Sequence, residues 1–282
     1  MKTVKLNNGV EMPILGLGVF QVSDPQECED SVYEAIKVGY RLIDTAAAYE
    51  NEEAVGRGIK KSGIDRQELF ITTKLWVQDA GYESTKAAFA KSLQKLQLDY
   101  LDLYLIHQPY GDIYGSWMAM EELYWEKKTR AIGVSNFYPD RLADLMVHNE
   151  IVPAVNQIET HPYWQQTEAQ QYLKENNIQI QSWSPFAQDS KIFEKELLKG
   201  IAEKYQRSVA QIILRWLTQR DVVVIAKSVN KDRIIQNINI FDFELSSEDM
   251  ESIKTLDTGR TTIFDHHDPD KVKFLSGYRF NI

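Results

Sequence analysis

A chain of 282 residues, 43% apolar and 26% charged, carries enough apolar surface for a large core and does not have the composition of a disordered segment. Its formal net charge is -9, and its Lys and Arg residues are scattered apart from pairs such as Lys60-Lys61 and Lys127-Lys128. No basic stripe results, so nucleic acid is excluded as an expected partner. A single cysteine, Cys28, rules out an intrachain disulfide framework and a cysteine-based zinc site and points to a cytoplasmic chain.

At the start of the chain, Asn7, Asn8, Gly9 and Glu11 interrupt the apolar residues before a signal-peptide core or membrane span forms, so neither export nor membrane insertion is expected. Val4 to Leu6 and Val10 to Met12 flank Asn8-Gly9, which predicts a β-hairpin. Eight short apolar runs follow, at 14–20, 40–46, 69–76, 101–107, 130–136, 154–159, 178–184 and 222–228, each too continuous for a half-exposed strand. Segments of helical period separate them, at 25–37, 52–61, 84–96, 116–127, 139–147 and 167–175. Two more helical patterns, 194–205 and 208–218, precede the eighth run, and 231–237 and 246–256 follow it. Eight β/α units close into a (β/α)8 TIM barrel, here with an N-terminal hairpin and additional helices. The tail, 259–282, lacks a clear period and reads as a long loop. No linker or composition shift divides the chain, so residues 1–282 read as one domain.

In such a barrel the strands' C-terminal ends carry the chemistry. Asp44, Lys74 and His107 close three successive runs, and Tyr49 follows Asp44 by five residues in the next loop. If these four meet, the Lys74 ammonium favours the Tyr49 phenolate and lowers its pKa from about 10, while Asp44 holds the lysine. Tyr49 is then a general acid, and a neutral, donating His107 holds a carbonyl oxygen. Each residue alone has an ordinary reading: an Asp44–Lys74 structural ion pair, a tyrosine anchoring a helix start, a core histidine. Trp183 alone reads as core packing, and Lys227 and Arg233 as solvated charge. The consecutive run Asp265, His266, His267, Asp268 is not a convergent ligand set, so no metal is expected.

A dinucleotide-binding Gly-x-Gly-x-x-Gly turn is missing: Gly16-Leu17-Gly18 lacks the third glycine, and Gly56-Arg57-Gly58 lies within a helical segment. Instead the eighth run ends at Lys227-Ser228 and a helix begins, which places Lys227, Ser228, Arg233 and backbone N–H groups where a phosphate binds.

The hairpin together with GLGVF, IDTAAAYENEEAVG, ITTKLW, LDLYLIHQP, AIGVSNF, VNQIETHP and FDFELS resembles the aldo-keto reductases along nearly the whole chain. The bacterial branch with 2,5-diketo-gluconate and glyoxal or methylglyoxal reductases is the nearest in appearance. The resemblance implies an NADPH-dependent oxidoreductase of the CH-OH/carbonyl class that acts on a small aldehyde or ketone. Tyr49, Lys74, Asp44 and His107 would form its tetrad, with the hydride coming from the nicotinamide. It further implies that Ser135, Asn136 and Gln157 hold the carboxamide, Trp183 stacks on the nicotinamide, and Ser184 and Phe186 line the pyrophosphate path. Lys227, Ser228, Arg233 and Asn237 then take the adenosine 2′-phosphate and adenine. Phe20 and Gln108, with His107, are the expected substrate contacts. Three departures stand out: Gln108 replaces a frequent Trp, Ala226 replaces Pro, and Lys127-Lys128-Thr129 replaces a Gly-Lys turn. Two other functions compete, a Schiff-base aldolase using Lys74 and an NADPH-binding barrel without catalysis. The expected state is a monomer or weak oligomer.

Overall fold

The computed structural model describes residues 2–282. Strands β1 (Thr3–Lys5) and β2 (Glu11–Pro13) pair antiparallel with Val4 opposite Met12, as the hairpin pattern predicts. Their connection is a three-residue loop, Asn7 to Gly9, closed by the Gly9 N–H on the Leu6 carbonyl at 2.9 Å. Gly9 sits at φ +87, a conformation costly to a residue with a Cβ. Asn7 and Asn8 donate to the carbonyls of Pro153 and Arg130, and Leu6, Met12 and Ile14 are buried against the strands. The hairpin thereby plugs the floor of the barrel.

Eight parallel strands form that barrel: β3 (Leu15–Gly18), β4 (Leu42–Asp44), β5 (Phe70–Leu75), β6 (Leu103–Ile106), β7 (Ile132–Ser135), β8 (Val155–Glu159), β9 (Gln179–Trp183) and β10 (Val223–Lys227). β10 returns to pair with β3 and closes the ring. Nearly every strand residue is buried, which is why their apolar runs are continuous rather than alternating. Around them run α1 (Pro25–Lys37), α2 (Glu52–Ser62), α3 (Tyr82–Leu96), α4 (Ile113–Trp125), α5 (Pro139–Val147) and α6 (Thr167–Glu175). Then follow α7 (Glu196–Tyr205), α8 (Val209–Gln219), α9 (Lys231–Ile238), α10 (Ser247–Lys254) and α11 (Pro269–Gly277). Among the described residues no helix is long and apolar enough to cross a membrane.

Gly56 and Gly58 serve helix packing. A Cβ on Gly56 would lie 2.4 Å from the Leu96 carbonyl oxygen, and one on Gly58 2.7 Å from that of Glu29, so α2 sits against α3 and α1 only because both positions lack one. Two expectations need correction. The tail is not loop throughout: Asp268 accepts the Asp270 N–H and Pro269 opens α11, a local start signal that the sparse apolar pattern of the tail hid. α4 stops at Trp125 rather than 127, and Lys127 takes the left-handed conformation, φ +61, that a glycine fills more cheaply. Ala226 lies inside β10, paired with Leu17.

Candidate active site

β4 ends in Asp44, β5 carries Lys74 next to its end, and His107 follows β6 directly, so three adjacent strands bring ionisable side chains to one rim. Tyr49 joins them from a 3-10 turn, Ala47–Tyr49, in the loop after β4. Asn51 stitches that loop to the barrel: its amide donates to the Val19 and Val22 carbonyls, and its oxygen accepts the Thr45 hydroxyl. The fully buried Lys74 ammonium donates to Asp44 Oδ1 at 2.5 Å, to the Thr45 carbonyl at 2.8 Å and to the Tyr49 hydroxyl at 3.3 Å. The Tyr49 and His107 rings stand edge to face, their centroids 5.6 Å apart. All four residues singled out in the sequence meet.

Their electrostatics differ from expectation at one point. Burial pushes the Tyr49 phenol above the ordinary tyrosine range; Lys74 opposes this and Asp44 adds to it. The expected lowering fails because desolvation is the largest influence on the phenol, and Asp44 takes back part of what Lys74 contributes. Burial pulls the Lys74 ammonium down, but Asp44 and Tyr49 outweigh it and the net direction is upward. Burial also holds His107 well below the usual histidine range, helped by the charge of Lys74 and by His266, so the ring is neutral at pH 7. His107 Nδ1 is sealed and finds no partner among the described residues. A bare acceptor there costs less than an orphaned N–H, which puts the proton on Nε2.

A cavity of about 480 Å³ runs from the tetrad along the rim to Lys227. On its wall Asn136 donates to the His107 carbonyl at 3.0 Å and to the Ser135 hydroxyl at 3.2 Å, and the Ser135 hydroxyl donates to the Gln157 carbonyl at 2.8 Å. The Gln157 amide donates to Asp44 Oδ2 at 2.8 Å, which ties this polar group to the tetrad through one carboxylate. The Trp183 indole N–H meets Asn136 Oδ1 at 2.9 Å. Asn136 and Ser184, both just past strand ends, hold φ values of +65 and +50, backbone strain of a kind that concentrates at functional sites. Phe20, Gln108, Ser184 and Phe186 line the same cavity. Ser228, directly after Lys227, and Arg233 and Asn237 on α9 lie outside the cavity wall; Asn230 caps that helix by accepting the Arg233 N–H at 3.0 Å.

Residues 14–258 match the model of the aldo/keto reductase family. The chain belongs to that family. It is 57% identical over 255 residues to a glyoxal reductase of Bacillus subtilis, covering 90% of this chain and 92% of that one. With methylglyoxal reductase DkgA of Escherichia coli the identity is 43% over 261 residues, covering 91% and 94%. Among solved structures, an aldo-keto reductase from a Medee basin deep-sea metagenome library superposes with a TM-score of 0.92 at 45% identity, covering 95% and 99%. A Bombyx mori aldo-keto reductase in complex with NADP gives 0.90 at 35% identity, covering 96% of both chains.

In this aldo/keto reductase the cavity has a second set of residues that the sequence pattern does not assign to the site: Trp76, Ile263, Phe264, His266, Leu275 and Phe280. Trp76 packs edge-on against His107 and Phe280, and its indole N–H donates to the Tyr278 carbonyl at 3.1 Å. Gln78 exchanges two hydrogen bonds with the Phe280 backbone. The acidic and histidine run of the tail disperses: His266 lines the cavity, His267 stacks on Tyr138 with centroids 3.8 Å apart, and Asp268 caps α11. Trp76 could have been marked from its place just past a strand end. Of the other five, His266 stands out in the sequence only as a metal-ligating type of side chain, and the remaining four offer no signal, because their segment has no period.

Proposed function

We propose that this aldo/keto reductase reduces small, uncharged aldehydes and ketones to alcohols with NADPH, Tyr49 delivering the proton. The observation that carries the reading is the Lys74 ammonium, shared between Asp44 and the Tyr49 hydroxyl, both of which line the cavity. The glyoxal reductase and methylglyoxal reductase relatives support the carbonyl class, and the neighbour in complex with NADP supports the cofactor.

The donor set fits that cofactor in sequence along the cavity and beyond its wall into α9. The side chains of Ser135, Asn136 and Gln157 suit a carboxamide, Trp183 a flat ring, Ser184 and Phe186 a pyrophosphate path, and the cations Lys227 and Arg233, with Ser228 and Asn237, a phosphorylated adenosine. NADPH, when bound, supplies the hydride for the carbonyl carbon. The chain's own residues handle the oxygen. His107, neutral with its proton on Nε2, donates to the carbonyl oxygen and polarises it. As charge builds on that oxygen, the Tyr49 hydroxyl gives up its proton, and the phenolate left behind is held by Lys74 in a site where water screens little. Burial keeps the phenol protonated until that moment. Phe20, Trp76, Phe264 and Phe280 form an apolar wall that favours uncharged substrates, and Gln108 and His266 add polar groups to the lining.

A Schiff-base role for Lys74 is disfavoured, because such an amine must be neutral and free, whereas this one is an ammonium with three acceptors. A non-catalytic barrel would have no use for four ionisable groups, three of them buried and Tyr49 partly so, gathered beside one cavity. The whole chain acting as one domain, as a monomer or weak oligomer, belongs to the same reading, since hairpin and tail both pack on the barrel. A cytoplasmic setting rests on the one free cysteine, Cys28, whose thiol burial pushes up to about 12. NADPH consumption with glyoxal and with an aromatic aldehyde tests the reading. Turnover of at least one is expected, and none with either contradicts it.

A further inference from the structure

Glu159, at the end of β8, is buried and takes no part in the tetrad. His161, fully buried two residues on, holds one of its oxygens. His161 Nδ1 accepts the Trp164 N–H at 3.1 Å, so the proton of the neutral ring lies on Nε2 and is donated to Glu159 Oε1 at 2.9 Å. The tail supplies the other donors. The Thr262 N–H reaches Oε1 at 3.0 Å, and the Thr261 hydroxyl reaches Oε2 at 2.7 Å. Thr261 Oγ1 in turn accepts the N–H groups of Ile263 and Phe264 at 3.2 and 2.9 Å. A continuous chain of hydrogen bonds thus links a barrel strand end to the backbone of two residues that line the cavity. Beyond them, the Tyr110 hydroxyl donates to the His266 carbonyl at 2.8 Å and fixes the far end of the same stretch.

A buried carboxylate is tolerated only while its oxygens are satisfied. Here two of the donors come from a segment 102 or more residues away in sequence, so the seating of the tail and the burial of Glu159 depend on each other. We infer that Glu159, oriented by His161, is a positioning residue: it clasps Thr261 and Thr262 and thereby sets the cavity wall formed by Ile263 and Phe264. This rests on the reading of the cavity as the carbonyl site. A substrate long enough to touch that wall feels the clasp through its KM. Glyoxal, only four heavy atoms, is bound at the tetrad and does not.

Thr261→Val removes the hydroxyl at nearly constant shape, and Thr261→Ser restores it. Glu159→Gln removes one acceptor, setting an amide N–H against the Thr262 and His161 N–H groups in one orientation or in place of the acceptor of the Thr261 hydroxyl in the other. In Thr261→Val the KM for a biphenyl aldehyde rises about tenfold, as expected for lost hydrogen bonds to a charged group. Glyoxal kinetics and NADPH affinity stay within about twofold, and Thr261→Ser behaves as the unmodified protein. Independently of turnover, hydrogen exchange at the Ile263 and Phe264 amides accelerates about tenfold in Thr261→Val and Glu159→Gln. Equal losses with both aldehydes, no change in KM, or unchanged exchange at these amides overturns the clasp. If the unmodified protein reduces neither aldehyde, the carbonyl reading fails by itself and the exchange rates still decide the clasp.

Discussion

Tyr49→Phe separates chemistry from structure because the two effects differ in size. The substitution removes one hydroxyl and keeps the ring that packs on Phe20 and His107. Lys74 loses its weakest bond, the one at 3.3 Å, and retains Asp44 at 2.5 Å and the Thr45 carbonyl at 2.8 Å. Losing one such hydrogen bond costs about 1 kcal/mol, equivalent in a domain of this size to a melting shift of roughly 2–4 °C. Losing a positioned general acid costs about 10²- to 10⁴-fold in rate, or roughly 2.7–5.4 kcal/mol at the transition state. The variant should therefore melt near the parent temperature, bind NADPH within about twofold of the parent in a fluorescence titration, and consume NADPH at least about a hundredfold more slowly with saturating aldehyde. A rate within a few fold of the parent would refute proton delivery by Tyr49. A rate loss matched by an equal loss of NADPH affinity would refute the separation of the two sites.

The raised Tyr49 phenol and the depressed His107 imidazole predict a reductive kcat that is flat from about pH 6 to 9, with no limb near the ordinary histidine value of about 6.5. His107 also contributes stability that is present above about pH 6.5 and is lost as pH falls toward its depressed folded value, because only the unfolded ring takes up the proton there. Denaturant titrations across that range check the sign, and greater stability at lower pH would contradict it. Arg233→Ala, at an exposed position on α9, should weaken NADPH about tenfold while leaving NADH nearly unchanged. Equal weakening in paired titrations would remove Arg233 from the 2′-phosphate. Gly133→Ala places a Cβ 2.5 Å from the Val155 carbonyl oxygen and 2.8 Å from a Leu105 methyl, and should cost about 1–3 kcal/mol by overpacking. An unchanged melting temperature would contradict the β7 to β8 packing.

The barrel was legible because strands buried on both faces leave continuous apolar runs, and an ionisable group at the end of such a run marks the rim. Asp44, Lys74 and His107 stand out for that reason, and Tyr49 by its place in the following loop. The seating of that loop was not legible, since Asn51 acts through the carbonyls of Val19 and Val22, about thirty residues back. The direction of the Tyr49 shift was hidden too: it is set first by burial of the phenol, which outweighs Lys74 with some help from Asp44, and burial is not readable from residue type. The tail shows the same limit. Ile263 and Phe264 are held by the Thr261 hydroxyl, which itself donates to Glu159, and Phe280 donates its N–H to Gln78; long-range partners of this kind leave no periodic trace.

The central claim is that hydride and proton arrive at one carbonyl from NADPH and from the tetrad. The most direct measurement uses NADPH deuterated at nicotinamide C4, with each face labelled in turn, and mass spectrometry of the alcohol formed from an aromatic aldehyde. The account predicts one deuterium on the carbinol carbon with one label and none with the other. Alcohol formed without deuterium from either label, or no alcohol at all, would contradict it.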